Sequence, residues 1–93
     1  MTAMVAIHVI FIRDFISEEL EIKKSAATFV EKLIEEIPSD DIIIDFSNVK
    51  SMTPEFAHQY LLRKSKIKKQ IHEVNIPSPI ESIISKAQKS IKK

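Results

Sequence analysis

Asp45, Ser47, Asn48, Ser51 and Thr53 fall within one short stretch, DFSNVKSMT, in the middle of the chain. A carboxylate, an amide and three hydroxyls so close together can recognise a partner or a small polar ligand. Catalysis is a poorer match, because no second carboxylate or histidine stands close enough in sequence to Asp45 to complete an acid–base pair. The competing role for Asp45 is structural: an Asx side chain that accepts backbone N–H bonds and so fixes its own loop. That structural role carries the greater weight.

The remaining reactive side chains narrow the chemistry further. His8, His58 and His72 form no i, i+4 pair and no HExxH pattern. His8 and His72 fall in strand-like segments and could meet across a sheet, but no carboxylates can be placed beside them to make a metal site. The chain has no cysteine, which removes disulfides, thiolate nucleophiles and thiolate metal sites together. It has no glycine either, which excludes a phosphate-cradling loop, a dinucleotide fingerprint and an EF-hand. Turns must therefore use Asn, Asp, Ser and Pro. No metal and no cofactor is expected, and no catalytic residue is assigned.

The net charge of +1 conceals a polarity. Residues 1–62 carry 5 basic and 11 acidic side chains, whereas residues 63–93 carry 9 basic and 2 acidic. Arg63, Lys64, Lys66, Lys68 and Lys69 crowd the end of one helical segment, and Lys86, Lys89, Lys92 and Lys93 the end of the next. Cations suit helix C-termini and solvated faces. The alternative is a basic patch for nucleic acid or an acidic partner. Tyr60 is the one polar aromatic side chain nearby and belongs to an apolar stripe, so stacking on single strands is disfavoured.

The elements that must position these residues follow from periodicity. MVAIHVIFI, residues 4–12, is apolar on both faces of a strand, the pattern of a strand covered on both sides. Residues 18–37 read as a helix whose stripe is Ala26, Phe29, Val30, Leu33, Ile34 and Ile37. Ser17 is its candidate cap. The stripe is clean only from about Ile22, so residues 14–22 could instead hold a turn or a short extra strand. Pro38 ends this helix. Residues 41–46, DIIIDF, form a buried central strand. Thr53 caps a second helix, Pro54 takes its first position, and the helix runs to about Lys69 with Phe56, Ala57, Tyr60, Leu61 and Ile67 facing inward. IHEVNI, residues 71–76, is a third strand. SPIE, residues 78–81, opens a third helix with a capping box, and its stripe is Ile80, Ile83, Ile84, Ala87 and Ile91. The order β-α-β-α-β-α implies a mainly parallel sheet with right-handed crossovers.

That order, with IIIDFSNVKSMTPEFAHQYL at the second strand and second helix, resembles the STAS-type domains of sulphate transporters and anti-sigma-factor antagonists. It is most similar to the small STAS-like group of uncharacterised function, through Asp45, Phe46, Thr53 and Phe56. The resemblance implies a (βα)n superhelix with strands in chain order, helices mainly on one face and a protein-binding role. In the antagonists an Asp-Ser pair at this helix start is the phosphorylation switch. The pair falls on Thr53 and Pro54, so proline replaces the switch hydroxyl, and Ser51 and Thr53 are the nearby candidate phosphorylation sites. The glycine usual at this helix start is absent.

The expectation is thus a single α/β domain over residues 1–93, STAS-like, cytoplasmic, with no membrane segment. Its expected function is a non-catalytic regulatory module. Asp45, Ser47, Asn48, Ser51, Thr53 and Glu55 would form the surface for a protein partner. The alternative is a nucleic-acid-associated protein using the basic C-terminal half. One face of the sheet should keep apolar residues uncovered, either Ile42, Ile44 and Phe46 or the face of Ile43 and Asp45. A homodimer or a partner would use it unless residues 14–22 fold back across it.

Overall fold

The computed structural model describes residues 7–34 and 36–91. Three parallel strands form the main sheet: β1 (Ile7–Phe11), β3 (Asp41–Asp45) and β5 (Gln70–Val74). They stand side by side in chain order. Ile7 pairs with Asp41 and Asp41 with Gln70, and the register continues without slippage to Phe11, Asp45 and Val74. The isoleucine-rich strands are parallel because a helical crossover separates each from the next, as the alternating periodicities require. The result is the expected α/β class with helices packed on a parallel sheet. Residues 4–6 of the first expected strand lie outside the described residues.

Side-chain alternation then sorts the sheet into two faces. Ile10, Ile42 and Ile44 are buried against the helices, with Phe46 just beyond the strand. The stripe Phe56, Ala57, Tyr60 and Leu61 comes down on them from α3 (Pro54–Lys64). Ile80, Ile84 and Ala87 do the same from α4 (Ser78–Ile91), and Ala26, Phe29 and Val30 from the first long helix. Ile7, Val9 and Phe11 point the other way and are exposed, Ile7 at 57%. The uncovered face is therefore the one carrying Ile43.

The first long helix does not start at residue 18; the alternative left open for residues 14–22, a turn and a short extra strand, is the one the structure takes. A single turn, α1 (Ile12–Phe15), follows β1 directly, so Ile12 is helical and not the end of a strand. Ser17 does not cap a helix at Glu18. Its hydroxyl donates to the Glu19 carbonyl and accepts from the Glu19 N–H, closing a local turn. Glu19 and Leu20 form a short strand, β2, paired in parallel with β4 (Ser51–Met52). The carbonyls of Glu18 and Leu20 accept N–H groups from Lys50, Ser51 and Thr53, a tertiary pairing that overrides helix propensity here. The helix begins only at Lys23, as α2 (Lys23–Thr28), and continues as a π-helical stretch over Phe29–Ile34.

Helix α3 starts where the sequence places it. Thr53 is its N-cap and accepts the Phe56 N–H at 3.1 Å, with Pro54 at the first position. It ends at Lys64, short of the expected Lys69. The Ser65 hydroxyl bonds back to the Leu62 carbonyl, and the Lys66 and Ile67 N–H groups reach only three residues back, which tightens the last turn and closes it. Helix α4 includes Ser78 as its first residue, so the residue before the helix is Pro77, whose carbonyl accepts the Glu81 N–H at 2.9 Å. Replacing Thr53 with alanine should cost about 1 kcal/mol of unfolding free energy, read as a lower urea midpoint with an unchanged slope.

Candidate functional site

The C-terminal edge of the sheet, where ligands of open α/β sheets bind, is built around Asp45. Asp45 is only 8% exposed. Its Oδ1 accepts the Ser47 N–H at 2.8 Å and the Ser47 hydroxyl at 2.5 Å, and its Oδ2 accepts the Asn75 amide at 3.1 Å. Burial pushes its carboxyl up, but the hydrogen bonds from Ser47 and Asn75 outweigh burial and hold it below the usual aspartate value. Asp45 thus shapes the loop and does not present itself to solvent.

From that anchor the chain turns outward. Phe46 accepts the Val49 N–H at 3.2 Å, and Asn48 sits in the left-handed region at φ 65°. Asn75, at the end of β5, is also left-handed at φ 54°. In a chain without glycine, asparagine takes these positions because its short polar side chain tolerates them best. Lys50 and Ser51 are then tied to Glu18, and Thr53 to Leu20. The Ser51 hydroxyl donates to the Glu21 carboxylate at 3.2 Å, and the Thr53 hydroxyl reaches the Glu21 carbonyl at 3.4 Å. Asp45, Ser47, Asn48, Ser51 and Thr53 are therefore brought together as one braced lip, with Glu55 exposed in the first turn of α3 beside it. Next to the lip, a groove of about 600 Å³ runs between α3 and α4, lined by Glu55, His58 and Gln59 on one side and Ile83 and Lys86 on the other.

Four contributors to this edge were not legible as site residues in the sequence. Asn75 stands 30 positions from the carboxylate it donates to. Glu18, Leu20 and Glu21 belong to the segment 14–22, which the sequence leaves open between helix, turn and short extra strand. The sequence places Asn75 inside the third strand, residues 71–76, but the strand spans Gln70–Val74 and Asn75 turns the chain in the left-handed region.

The basic residues divide. Arg63 pairs with Glu31 on the π-helical stretch. Lys64 contacts Glu73 at 2.7 Å, and the buried Tyr60 hydroxyl donates to the same carboxylate at 2.6 Å. Burial, and then the Glu73 charge and hydrogen bond, push the Tyr60 hydroxyl well above its ordinary value, so it stays a donor. Lys69 donates to the Ile37 carbonyl. Lys66 and Lys68 are exposed.

The histidines are separated by the sheet. His8 shares a row with Ile42 and Ile71, whereas His72 shares the next row with Val9 and Ile43, so the two point to opposite faces. His72 lies 3.7 Å from Asp41 on the uncovered face. Among the described residues no group of three or more His, Asp and Glu side chains could hold a metal. No helix among them is long and apolar enough to cross a membrane.

No protein-family model, curated protein or solved structure matches this chain.

Proposed function

We propose that this chain is a non-catalytic interaction module, of the kind its STAS-like resemblance implies, and that the lip at residues 47–53 with the first turn of α3 is its partner surface. The observation that carries this reading is the bracing of the lip. A polar loop held by a buried carboxylate, two left-handed asparagines and a second strand pair is ordered before any partner arrives. Such preorganisation lowers the entropic cost of association. The protonation chemistry of the site agrees, since Asp45 is occupied by its own loop and has no acid–base companion beside it.

Quantitative affinity capture from the native cell, read by mass spectrometry, tests the proposal. A partner should be retained by the wild-type chain and depleted by Ser51→Ala and Glu55→Lys, while thermal midpoints stay within a few degrees. Equal losses in capture and in melting temperature would reduce the lip to a structural element. Mass spectrometry of the same sample maps phosphate on Ser51 or Thr53.

The nucleic-acid reading draws less support, because Arg63, Lys64 and Lys69 are engaged within the fold. Homodimerisation is proposed at the uncovered face of the sheet. Three five-residue strands present roughly 14 by 17 Å, on the order of 240 Å² in projection. A stable interface buries about 800 Å² per partner, so a second copy bound there alone would associate weakly and reversibly. Sedimentation equilibrium should show concentration-dependent mass that Val9→Lys removes. A single-chain mass at every loading would dismiss the dimer.

A further inference from the structure

A second groove, lined by no lip residue, lies on the side of the molecule formed by α1 and the α2–π helix. Its volume is about 520 Å³, and Phe15, Ile16, Ile22 and Phe29 line it. A cavity of about 150 Å³ accommodates one benzene ring, so this groove has room for about three groups of that size. Phe29 is buried and supports Phe15, their ring centroids 6.5 Å apart, so that Phe15 keeps one side free and is 55% exposed. Ile22 is 67% exposed. Large apolar side chains gathered at one exposed place mark a binding surface more often than chance exposure does.

The rim carries charge of one sign. Lys24 and Lys32 line the groove, and no carboxylate does. Neither lysine pairs with a carboxylate among the described residues. The fold itself does not call for the cation at Lys24. Helix α2 has no acidic residue in its first turn, and Ile22 before it offers no side-chain cap. Lysines there oppose the helix dipole. The groove wall also includes Phe29 and Lys32, the first and fourth residues of the π-helical stretch. Short π-helical turns are rare and recur at functional sites.

We propose that this groove binds an acidic amphipathic helix of a partner protein, with apolar anchors between Phe15 and Ile22 and carboxylates on Lys24 and Lys32. The two lysines are eight positions apart on one helical run, on the order of 12 Å along its axis. That spacing matches two acidic side chains about two turns apart on a docked helix, each facing one lysine. A fatty acid has a single carboxylate and can satisfy only one of them. An open groove with anchors at i, i+4 and i+7 is a recurring way of holding a helix. This surface shares no residue with the lip, so the failure of either reading leaves the other standing.

Fluorescence anisotropy of the full chain with a labelled synthetic peptide tests the proposal. The peptide carries leucines at i, i+4 and i+7 flanked by glutamates two turns apart. Saturable binding is expected, weakened roughly tenfold or more by Lys24→Glu with Lys32→Glu. The same double variant should gain affinity for the peptide with lysines in place of glutamates. Ile22→Asp, at an exposed position where Asp can also cap α2, should abolish binding without lowering the melting temperature. The proposal is overturned if the peptide shows no saturable binding up to about 1 mM, a Kd equivalent to only about 4 kcal/mol. It is equally overturned if charge reversal leaves binding unchanged. Uptake of dodecanoate or anionic lipid vesicles, sensitive to these variants while the peptide is ignored, would assign the groove to lipid instead.

Discussion

Replacing Phe46 with alanine should cost this fold about 3–5 kcal/mol of stability. Phe46 is fully buried where the middle strand meets the lip, and its ring meets Tyr60 edge to face at 6.2 Å and 82°. Truncating a buried phenylalanine costs about 3–5 kcal/mol through lost transfer energy and the cavity left behind. A 93-residue domain has roughly 5–14 kcal/mol in total. The variant should therefore lose between about a fifth and all of the folding free energy. Chemical denaturation would show the urea midpoint falling in that proportion at an unchanged slope. A loss below about 1 kcal/mol would mean that Phe46 is not sealed into the core as described.

Asp45 should show the second large effect, with a pH signature that Phe46 lacks. Alanine at this position leaves the Ser47 N–H, the Ser47 hydroxyl and the Asn75 amide without their acceptor. Hydrogen bonds to a charged group contribute about 1.5–3 kcal/mol, and at a buried site the orphaned donors add to the loss. The sign of the pH dependence follows from the lowered carboxyl value. A carboxylate held below its unfolded pKa contributes stability that is fully present above the unfolded value, about 3.9, and disappears as pH falls through the folded one. The wild-type chain should thus lose this contribution progressively in acid below about pH 4, and Asp45→Ala should lose nothing there from this group. Urea titrations of both chains at pH 7 and pH 3 check it: the gap between the two midpoints should narrow in acid. A gap that stays constant, or widens, would contradict the account of the loop.

The main sheet was legible because its signal is local. Ile42, Ile43 and Ile44 can be read as a central strand without knowing their neighbours, and Thr53-Pro54 announces a helix start by its own chemistry. The apolar run through Phe11 is a strand as expected, but it is covered on one side only and not on both: Ile7, Val9 and Phe11 are exposed. The uncovered face was legible as well, up to the choice between the Ile42 and Ile43 sets. Three helices packed on one side leave the Ile43 set open, with Ile7 and Val9 exposed beside it. A short extra strand within residues 14–22 was one of the alternatives the sequence left open, but its pairing with β4 was not legible. Two-residue strands carry no periodicity, and Glu19 and Leu20 pair with Ser51 and Met52 only because α1 ends the first strand early and brings them there. The charge pattern misled in a related way. Five cations in seven positions read as one patch, but Glu31 and Glu73 reach three-dimensional proximity to Arg63 and Lys64 from elsewhere in the chain. Asp45 shows the opposite case. Its structural role was the better reading from sequence, and the hydrogen bonds to Ser47 bear that out, while Asn75 could be found only in the folded chain.

The uncovered sheet face, the lip and the groove beside α1 make three distinct surfaces on a small domain. Only the lip is braced from both sides, by Asp45 at its base and by β2 along its flank. The interaction reading is centred there for that reason, and it predicts where contact occurs independently of who the partner is.

Site-specific photocrosslinking in the native cell tests this most directly. A photoreactive residue is placed in turn at Lys50, exposed on the lip, and at Lys68, exposed beyond α3. A discrete protein adduct from position 50, and none from position 68, is the predicted result. Adducts confined to position 68, with protein or nucleic acid, would contradict the claim that the lip is the contact surface.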